Sequence, residues 1–424
     1  MTKYYLVFIF FISISVFANA QFPDLEYQNK VYSNQIKTVQ MHLDGSEISE
    51  PVLNLSDNNL KLLLSFDDFD GGFKNYNYAL VHCNADWLPS TLQTNEFVQG
   101  FNDDLISKYS YSISTFVKYT HYELSFPNAN CKPIKSGNYI IYVYRDFNPQ
   151  DIILSRRFMV YDNKMNINAN IHRPAAVEFR NSKQEIDFTI NYQNLVINDV
   201  FNDIKVCIQQ NGRWDNALFE IKPTFVQDNQ LTYDTDINQL FNGGNEFRTL
   251  DLKTLQLKTS LVNKIEYKDS MYNVYLMDDE RRAYTRYTTW DDINGKYVIR
   301  NQNGFTSNTD ADYINVYFSL KCDKPYKNSN VYVDGLLNNW ECKQDNRMIY
   351  NEDKKIYECK LMLKQGLYNY QYTMLYDGAK YSDQSELEGN LFETENEYLI
   401  LVYVRPMGSR YDQLLGFGRI NSVR

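Results

Sequence analysis

The chain predicts an all-β protein: tandem immunoglobulin-like or fibronectin-like β-sandwiches, one at each end, with a strand-rich segment between them. Three observations point there. Apolar and polar residues alternate with a period of two through most of the sequence. Clusters of Gly, Asn, Asp and Ser punctuate those runs. Two distant stretches, KSGNYIIYVY and KQGLYNYQY, echo each other, placing Gly137 or Gly366 at a turn and Tyr139 or Tyr368 two residues later at the start of a strand. A late strand of an immunoglobulin-like sandwich opens in this way.

Residues 1–20 read as a secretory signal peptide. Lys3 gives a positive start, Leu6 to Phe17 is apolar, and Ala18-Asn19-Ala20 fits a cleavage site. The apolar run is too short to span a bilayer, no Cys follows it to carry a lipid, and no later stretch approaches membrane-spanning length. The first sandwich is expected over 21–163, closing with LSRRFMVYD. Within it, DDFDGGF (Asp67 to Phe73) joins LKLLLSF to NYNYALVHC and reads as a hairpin turn. The middle β-rich segment covers 164–310. Ile186, Phe188, Ile190 and Tyr192 share one face of a strand there, and Ile204, Val206 and Ile208 alternate with Lys205, Cys207 and Gln209 in the next. Short helices are allowed near DINQLF and LKTLQLK. The last sandwich, 311–424, follows the polar NQNGFTSNTD and opens with Ile314, Val316, Phe318 and Leu320 in line with Cys322.

Composition narrows the function. The net charge is −10 for the whole chain, and near −11 without Lys3, which argues against nucleic acid and anionic membrane as partners. Aromatics make up 15%, with 36 Tyr, as β-rich structure requires and as sticky partner surfaces also would. The six Cys (Cys83, Cys131, Cys207, Cys322, Cys342, Cys359) contain no CxxC pair, and their spacing does not choose among disulfide pairings or buried thiols.

No constellation carries chemistry. There are four His. His82 and Cys83 are strand neighbours, so their side chains diverge and form no dyad. GxSxG, HExxH and Walker A patterns are absent. Counted from Asp68, an EF-hand loop fails, with glycine too early and Ala79 in the closing glutamate's place. No pair of carboxylates stands out as a glycosidase pair. The expectation is a protein with no catalytic residues, no metal and no cofactor. In the middle segment, Trp214 in NGRWDNA, Arg248 in NEFRTLD and Trp290 in TRYTTWDD sit among polar residues, where each anchors a partner or packs over its own sandwich edge.

VYVDGLLNNW (Val331 to Trp340), followed by KIYECKLMLKQGLYNYQY and YDG, resembles the glycogen-binding type of carbohydrate-binding module, an early-set immunoglobulin-like sandwich. Trp340 after Asn338-Asn339 matches a sugar-stacking Trp of that family. The second stacking Trp is missing, since Ala379-Lys380 follow Asp377-Gly378. Gln371 replaces a basic residue between Tyr370 and Tyr372, and Asn396 falls where a sugar-contacting Asn sits. With one of two platforms gone, Trp340 is read as a core or interface residue, and an exported glycan-binding protein stays as the alternative function.

Beyond that module, IKTVQMHLDG, LLLSFDDFDGGFKNYNYALVHCNADW, YTHYELSFPN, SGNYIIYVY, SRRFMV, QNGRWDNA, GGNEFRTLDLKTLQ and NRMIYN fall in the order seen in the plug family of the type IX secretion system of Bacteroidetes. This resemblance covers 24–415. It implies a non-enzymatic periplasmic protein that seals the periplasmic mouth of the giant outer-membrane translocon barrel, associated with that barrel but not inserted in the membrane. GFGRINSVR is polar and basic and does not read as a closing barrel strand, nor does a sorting domain follow it, so the chain reads as machinery rather than cargo.

Overall fold

A computed structural model describes residues 25–193, 195–234 and 239–422. The expected signal peptide therefore lies outside the described residues. The fold is all-β, as the alternation requires. Among the described residues the three short α-helices, Thr94–Phe97, Val200–Asp203 and Ser307–Asp310, are single turns. Of the two stretches where short helices were allowed, LKTLQLK (252–258) is irregular, and the described part of DINQLF runs into the strand Leu240–Asn242, its first residues lying outside the described residues.

The first sandwich pairs two sheets. One runs Lys30–Val31, Ile152–Tyr161, Gly137–Arg145, Tyr76–Cys83, Asp103–Leu105, with Val52–Asn54 parallel to Ile152–Tyr161. The other runs Ile36–Leu43, Leu62–Asp68, Thr120–Phe126, Lys108–Tyr111. Leu62–Asp68 and Tyr76–Cys83 thus lie in opposite sheets, so DDFDGGF crosses the sandwich and is not a hairpin turn. The alternation shows which face of each strand is buried but not which strand is its neighbour.

The expected boundaries at 164–310 and 311–424 also change. Glu397–Val404 pairs with Ile204–Gln210, and Gln413–Asn421 completes that sheet. The second sandwich is therefore discontinuous, built from roughly 164–242 and 397–421, around Ile186, Phe188, Val206, Ile400 and Val402. The third begins well before residue 311. Arg248–Asp251 and Tyr297–Ile299 flank Gly366–Tyr376, and Met271–Leu276 runs parallel to Tyr313–Lys321. Pairing across about 190 residues costs only slowly growing loop entropy, which buried sheet contacts outweigh.

The repeated motif does the same work in two sandwiches. Tyr139 donates its hydroxyl to the Lys135 carbonyl at 2.8 Å, and Tyr368 to the Lys364 carbonyl at 2.6 Å. Both form the backbone-pinning corner that fixes where a late strand begins. All six cysteines are free thiols, and all but Cys342 are buried.

A fourth apolar core lies between sandwiches. Ile140, Tyr142 and Met159 of the first pack on Cys207, Leu401 and Tyr403 of the second. Cys207, expected on a polar face, therefore faces another sheet.

Candidate functional site

The three sandwiches meet at a cleft of about 660 Å³, lined by Arg157 from the first, Trp214 and Asp215 from the second, and Trp340, Lys343 and Tyr381 from the third. Trp340 reaches it from a tight turn. Ser329–Asp334 ends at Gly335, and Leu336–Asn338 makes one 3-10 turn. The Asn338 side chain accepts from the Gly335 N–H at 3.1 Å and donates to the Val333 carbonyl at 3.0 Å. Asn339 and Trp340 then both adopt left-handed backbone, which Asn tolerates and a bulky residue does so only when its surroundings hold it. The Arg213 guanidinium lies 4.2 Å over the Trp340 ring, and Phe247 meets it edge-on at 5.7 Å. At Gly295 only a residue without a Cβ fits, because that atom would stand 2.2 Å from the indole. Trp340 is thus an internal clamp between the second and third sandwiches.

This arrangement does not assemble a sugar site. One face of the Trp340 indole is covered by Arg213. Gln371 is buried and donates to Asp334 at 3.1 Å. Asn396 belongs to the second sandwich's side, buried against Asn211, Gln184 and the Gly243 carbonyl. Of the three positions, only Trp340 borders the cleft.

The expected partner anchors divide. Trp214 meets Trp87 of the first sandwich edge-on at 4.8 Å, and the Arg157 guanidinium lies over both rings at 5.1 and 4.3 Å. Arg157 also donates to the Tyr27 carbonyl at 2.7 and 2.9 Å, and burial pulls its pKa down to about 10. Trp214 therefore joins two sandwiches. Arg248 is no external anchor: it is buried and pairs with Asp279 at 2.7 Å and Glu388 at 3.0 Å. Arg282 closes the cluster on Glu388 at 2.7 Å, while Tyr370 and Tyr372 both donate to Asp279 at 2.7 Å. Trp290 is 37% exposed, with its N–H on the Phe247 carbonyl at 2.8 Å and Arg282 5.1 Å from its ring centre. It alone of the three stays at the surface.

A buried charge network between the first and third sandwiches carried no sequence signal, because its members are far apart in the chain. Asp67 accepts from Lys364 at 2.6 Å, Tyr313 at 2.6 Å and His121 at 2.6 Å, and both members of the Asp67–Lys364 pair are essentially inaccessible to water. Burial works to raise the Asp67 pKa, but the Lys364 ammonium and His121 outweigh it and hold the carboxyl below its usual range. Close by, the Asp312 carboxylate takes the N–H groups of Phe116 and Val117 at 2.8 and 3.1 Å, and Tyr119 donates to the Ala311 carbonyl at 2.8 Å.

At DDFDGG and at His82 the polar groups are already engaged within the protein. The Lys74 ammonium already bridges Asp68 and Asp70, at 2.9 and 2.5 Å, where a cation on DDFDGG would sit. His82 is held by Ser90 at 3.0 Å and the Ser136 carbonyl at 3.2 Å, and burial drops its pKa to about 4. His172, Glu185 and Asp187, a group the sequence did not single out, bring donor atoms within 4.8 Å of one another on the second sandwich. There the His172 ring nitrogen already lies 2.6 Å from Asp187.

Comparisons agree with this architecture. Residues 36–162 match the family model for the first domain of the type 9 secretion system plug protein. Nearly the whole chain, 94%, superimposes on all of a hypothetical protein from Parabacteroides merdae ATCC 43184, at 36% identity and a TM-score of 0.90. The chain belongs to the type 9 secretion system plug protein family. A serine-rich repeat protein, Srr2, from Streptococcus agalactiae aligns over 91% of this chain and 93% of its own at 8% identity, with a TM-score of 0.13, too low to indicate a shared fold. No curated protein matches. Membership ties this plug-family protein to type IX secretion and to a periplasmic or outer-membrane-associated location. Among the described residues, no helix is long and apolar enough to cross a membrane.

Proposed function

We propose that this plug-family protein is a non-enzymatic stopper that closes the periplasmic mouth of the giant outer-membrane barrel through which type IX cargo leaves. The observation that carries the reading is the pairwise joining of all three sandwiches: a shared apolar core between first and second, the Asp67–Lys364 network between first and third, and the Arg213–Trp340 contact between second and third. A barrel wide enough for folded cargo is a water-filled hole that leaks solutes when idle. A stopper for it needs stiffness and a large soluble body, not a reactive centre. In support of the non-enzymatic part, both ring nitrogens of His82 are engaged, and burial pushes the Cys83 thiol far up, away from the nucleophilic form. Because cargo must displace the stopper, its interface is of ordinary size, about 1,600 Å² in total, with few anchors.

The test is capture from the native bacterium of the full chain tagged at its C-terminus, after mild solubilisation and mass spectrometry. Recovery of a giant outer-membrane barrel, enriched when cargo is depleted, supports the plug. Recovery of no barrel in either condition sinks it.

A further inference from the structure

In the second sandwich the strand Asn166–His172 pairs antiparallel with Lys183–Asn191, placing His172 opposite Glu185 and Asn170 opposite Asp187. Ile167, Ala169 and Ile171 of the one strand and Ile186, Phe188 and Ile190 of the other turn toward that sandwich's core. Side chains alternate along a strand, so His172, Glu185 and Asp187 fall together on the outer face. Each offers one donor atom, and the three atoms lie within 4.8 Å of one another. Glu185 is almost wholly buried, while the side chains of His172 and Asp187 are partly exposed and leave the group accessible from solvent.

The imidazole is oriented for ligation. Its Nδ1 lies 3.0 Å from the Arg173 carbonyl, which only accepts, so Nδ1 carries a proton and Nε2 is the nitrogen turned to Asp187. Histidines that hold a metal are fixed in this way, with the other ring N–H on a carbonyl or carboxylate. Nε2 stands 2.6 Å from an Asp187 oxygen. A nitrogen lone pair and a carboxylate oxygen approach that closely only across a positive centre, which is a proton or a metal ion. With a proton there, the two carboxylates outnumber the one cation of the group. With a divalent ion the charges balance. Nearby basic side chains are turned elsewhere: the Lys183 ammonium, two residues from Glu185 on the same face, lies 4.5 Å from the Phe179 ring centre, and Arg173 pairs with Glu393 at 2.7 Å.

We propose that His172, Glu185 and Asp187 form a binding site for a divalent transition-metal cation, zinc first among them, which staples the end of Asn166–His172 to Lys183–Asn191. Zinc takes histidine nitrogen and carboxylate oxygen together, and a water completes its tetrahedron where the protein supplies three ligands. Calcium and magnesium take oxygen ligands, so an imidazole selects against them. Ligand atoms about 2.0–2.1 Å from a zinc ion lie about 3.3 Å apart in a tetrahedron, so Nε2 and the Asp187 oxygen open by about 0.7 Å as the ion takes the place of the proton between them. That proton leaves to solvent, and Nδ1 keeps its own on the Arg173 carbonyl. An ionised carboxylate has about four lone-pair sites, so Glu185 and Asp187 ligate an ion while keeping hydrogen bonds of their own. The site rests on these residues and is independent of the plug reading.

The test takes the full chain, purified without a polyhistidine tag and stripped of metal, and titrates it calorimetrically with zinc chloride and, in parallel, calcium chloride. A single zinc per chain is expected, with a melting temperature that rises with zinc concentration. His172→Asn and Asp187→Asn should each weaken zinc binding about tenfold or more, and calcium should bind far less tightly than zinc. In the wild type, zinc should shift the ring resonances of His172 and leave those of His42, His82 and His121 in place. This last measurement decides alone if both variants misfold. Absence of stoichiometric zinc overturns the site. Zinc bound with undiminished affinity by the folded variants, or with the His172 resonances unmoved, sits elsewhere and overturns the assignment. Calcium bound as tightly as zinc overturns ligation through the imidazole.

Discussion

At the scale of single residues, the Asp67–Lys364 pair dominates. It is fully buried, so removing one partner strands a charge, whereas removing both trades it for apolar packing. Lys364→Met is expected to cost about 3–5 kcal/mol in urea denaturation, and Asp67→Asn in that background to restore part of it; a loss below about 1 kcal/mol for the single variant would show the pair to be water-screened. The same network sets a pH dependence. His121 is raised above its usual 6.5: burial opposes the shift, but hydrogen bonds to Asp67 and Glu123 outweigh it. Its stabilising share is therefore complete below pH 6.5 and lost as pH climbs through the raised value. Glu123, hydrogen-bonded to His121 and then to Lys108, is lowered from 4.5 to about 2, so its share is present above pH 4.5 and lost as pH falls toward 2. Thermal melts across pH should peak between 4.5 and 6.5 for this network, and His121→Gln should remove the fall on the alkaline side; an unchanged alkaline limb would place the titration elsewhere.

Secondary-structure elements were the most legible level. Strands 183–191, 204–210 and 313–321 follow the period-two patterns directly, and the KSGNY and KQGLY echo marks two equivalent tyrosine corners. Tyr139→Phe and Tyr368→Phe should each cost about 1 kcal/mol, the net worth of one hydrogen bond in a buried setting, while leaving the far-ultraviolet spectrum unchanged. A cost near zero would mean that the hydroxyls only follow a turn fixed by Gly137 and Gly366. NYIIYVY and YLILVYV are apolar on both faces, which marks strands covered on both sides. In the fold, Tyr139, Ile141 and Val143 face their own core while Ile140, Tyr142 and Tyr144 face the second sandwich, and Tyr398 to Val404 divide in the same way. Read as two-sided burial, these runs announce sheets stacked four deep.

On the scale of the molecule, discontinuity of the second sandwich has consequences. A fragment 311–424 lacks both the strand Ile204–Gln210 that covers Glu397–Val404 and the strands Arg248–Asp251 and Tyr297–Ile299 that flank Gly366–Tyr376. It is expected to be unfolded or aggregated, with no cooperative thermal transition, and a well-dispersed amide spectrum from it would refute the assembly described here. The whole chain should melt in one transition, since each sandwich is bonded to the other two. A separate early transition by calorimetry would identify a seam weaker than its contacts suggest.

Sequence alone determined the all-β class, the faces of individual strands, the paired tyrosine corners and, through long family-like strings, the plug family. These are local properties, written in spacing that a strand's geometry dictates. Tertiary structure alone decided which strands are neighbours, that chain ends 397–421 complete a sandwich begun at 164, that Arg248 faces inward to Asp279 and Glu388, and that Trp340 lies beneath Arg213. The reason is physical: a residue's period fixes which way its side chain points, but burial of a charge or a ring depends on what a distant segment places over it, and nothing in the local pattern encodes that partner.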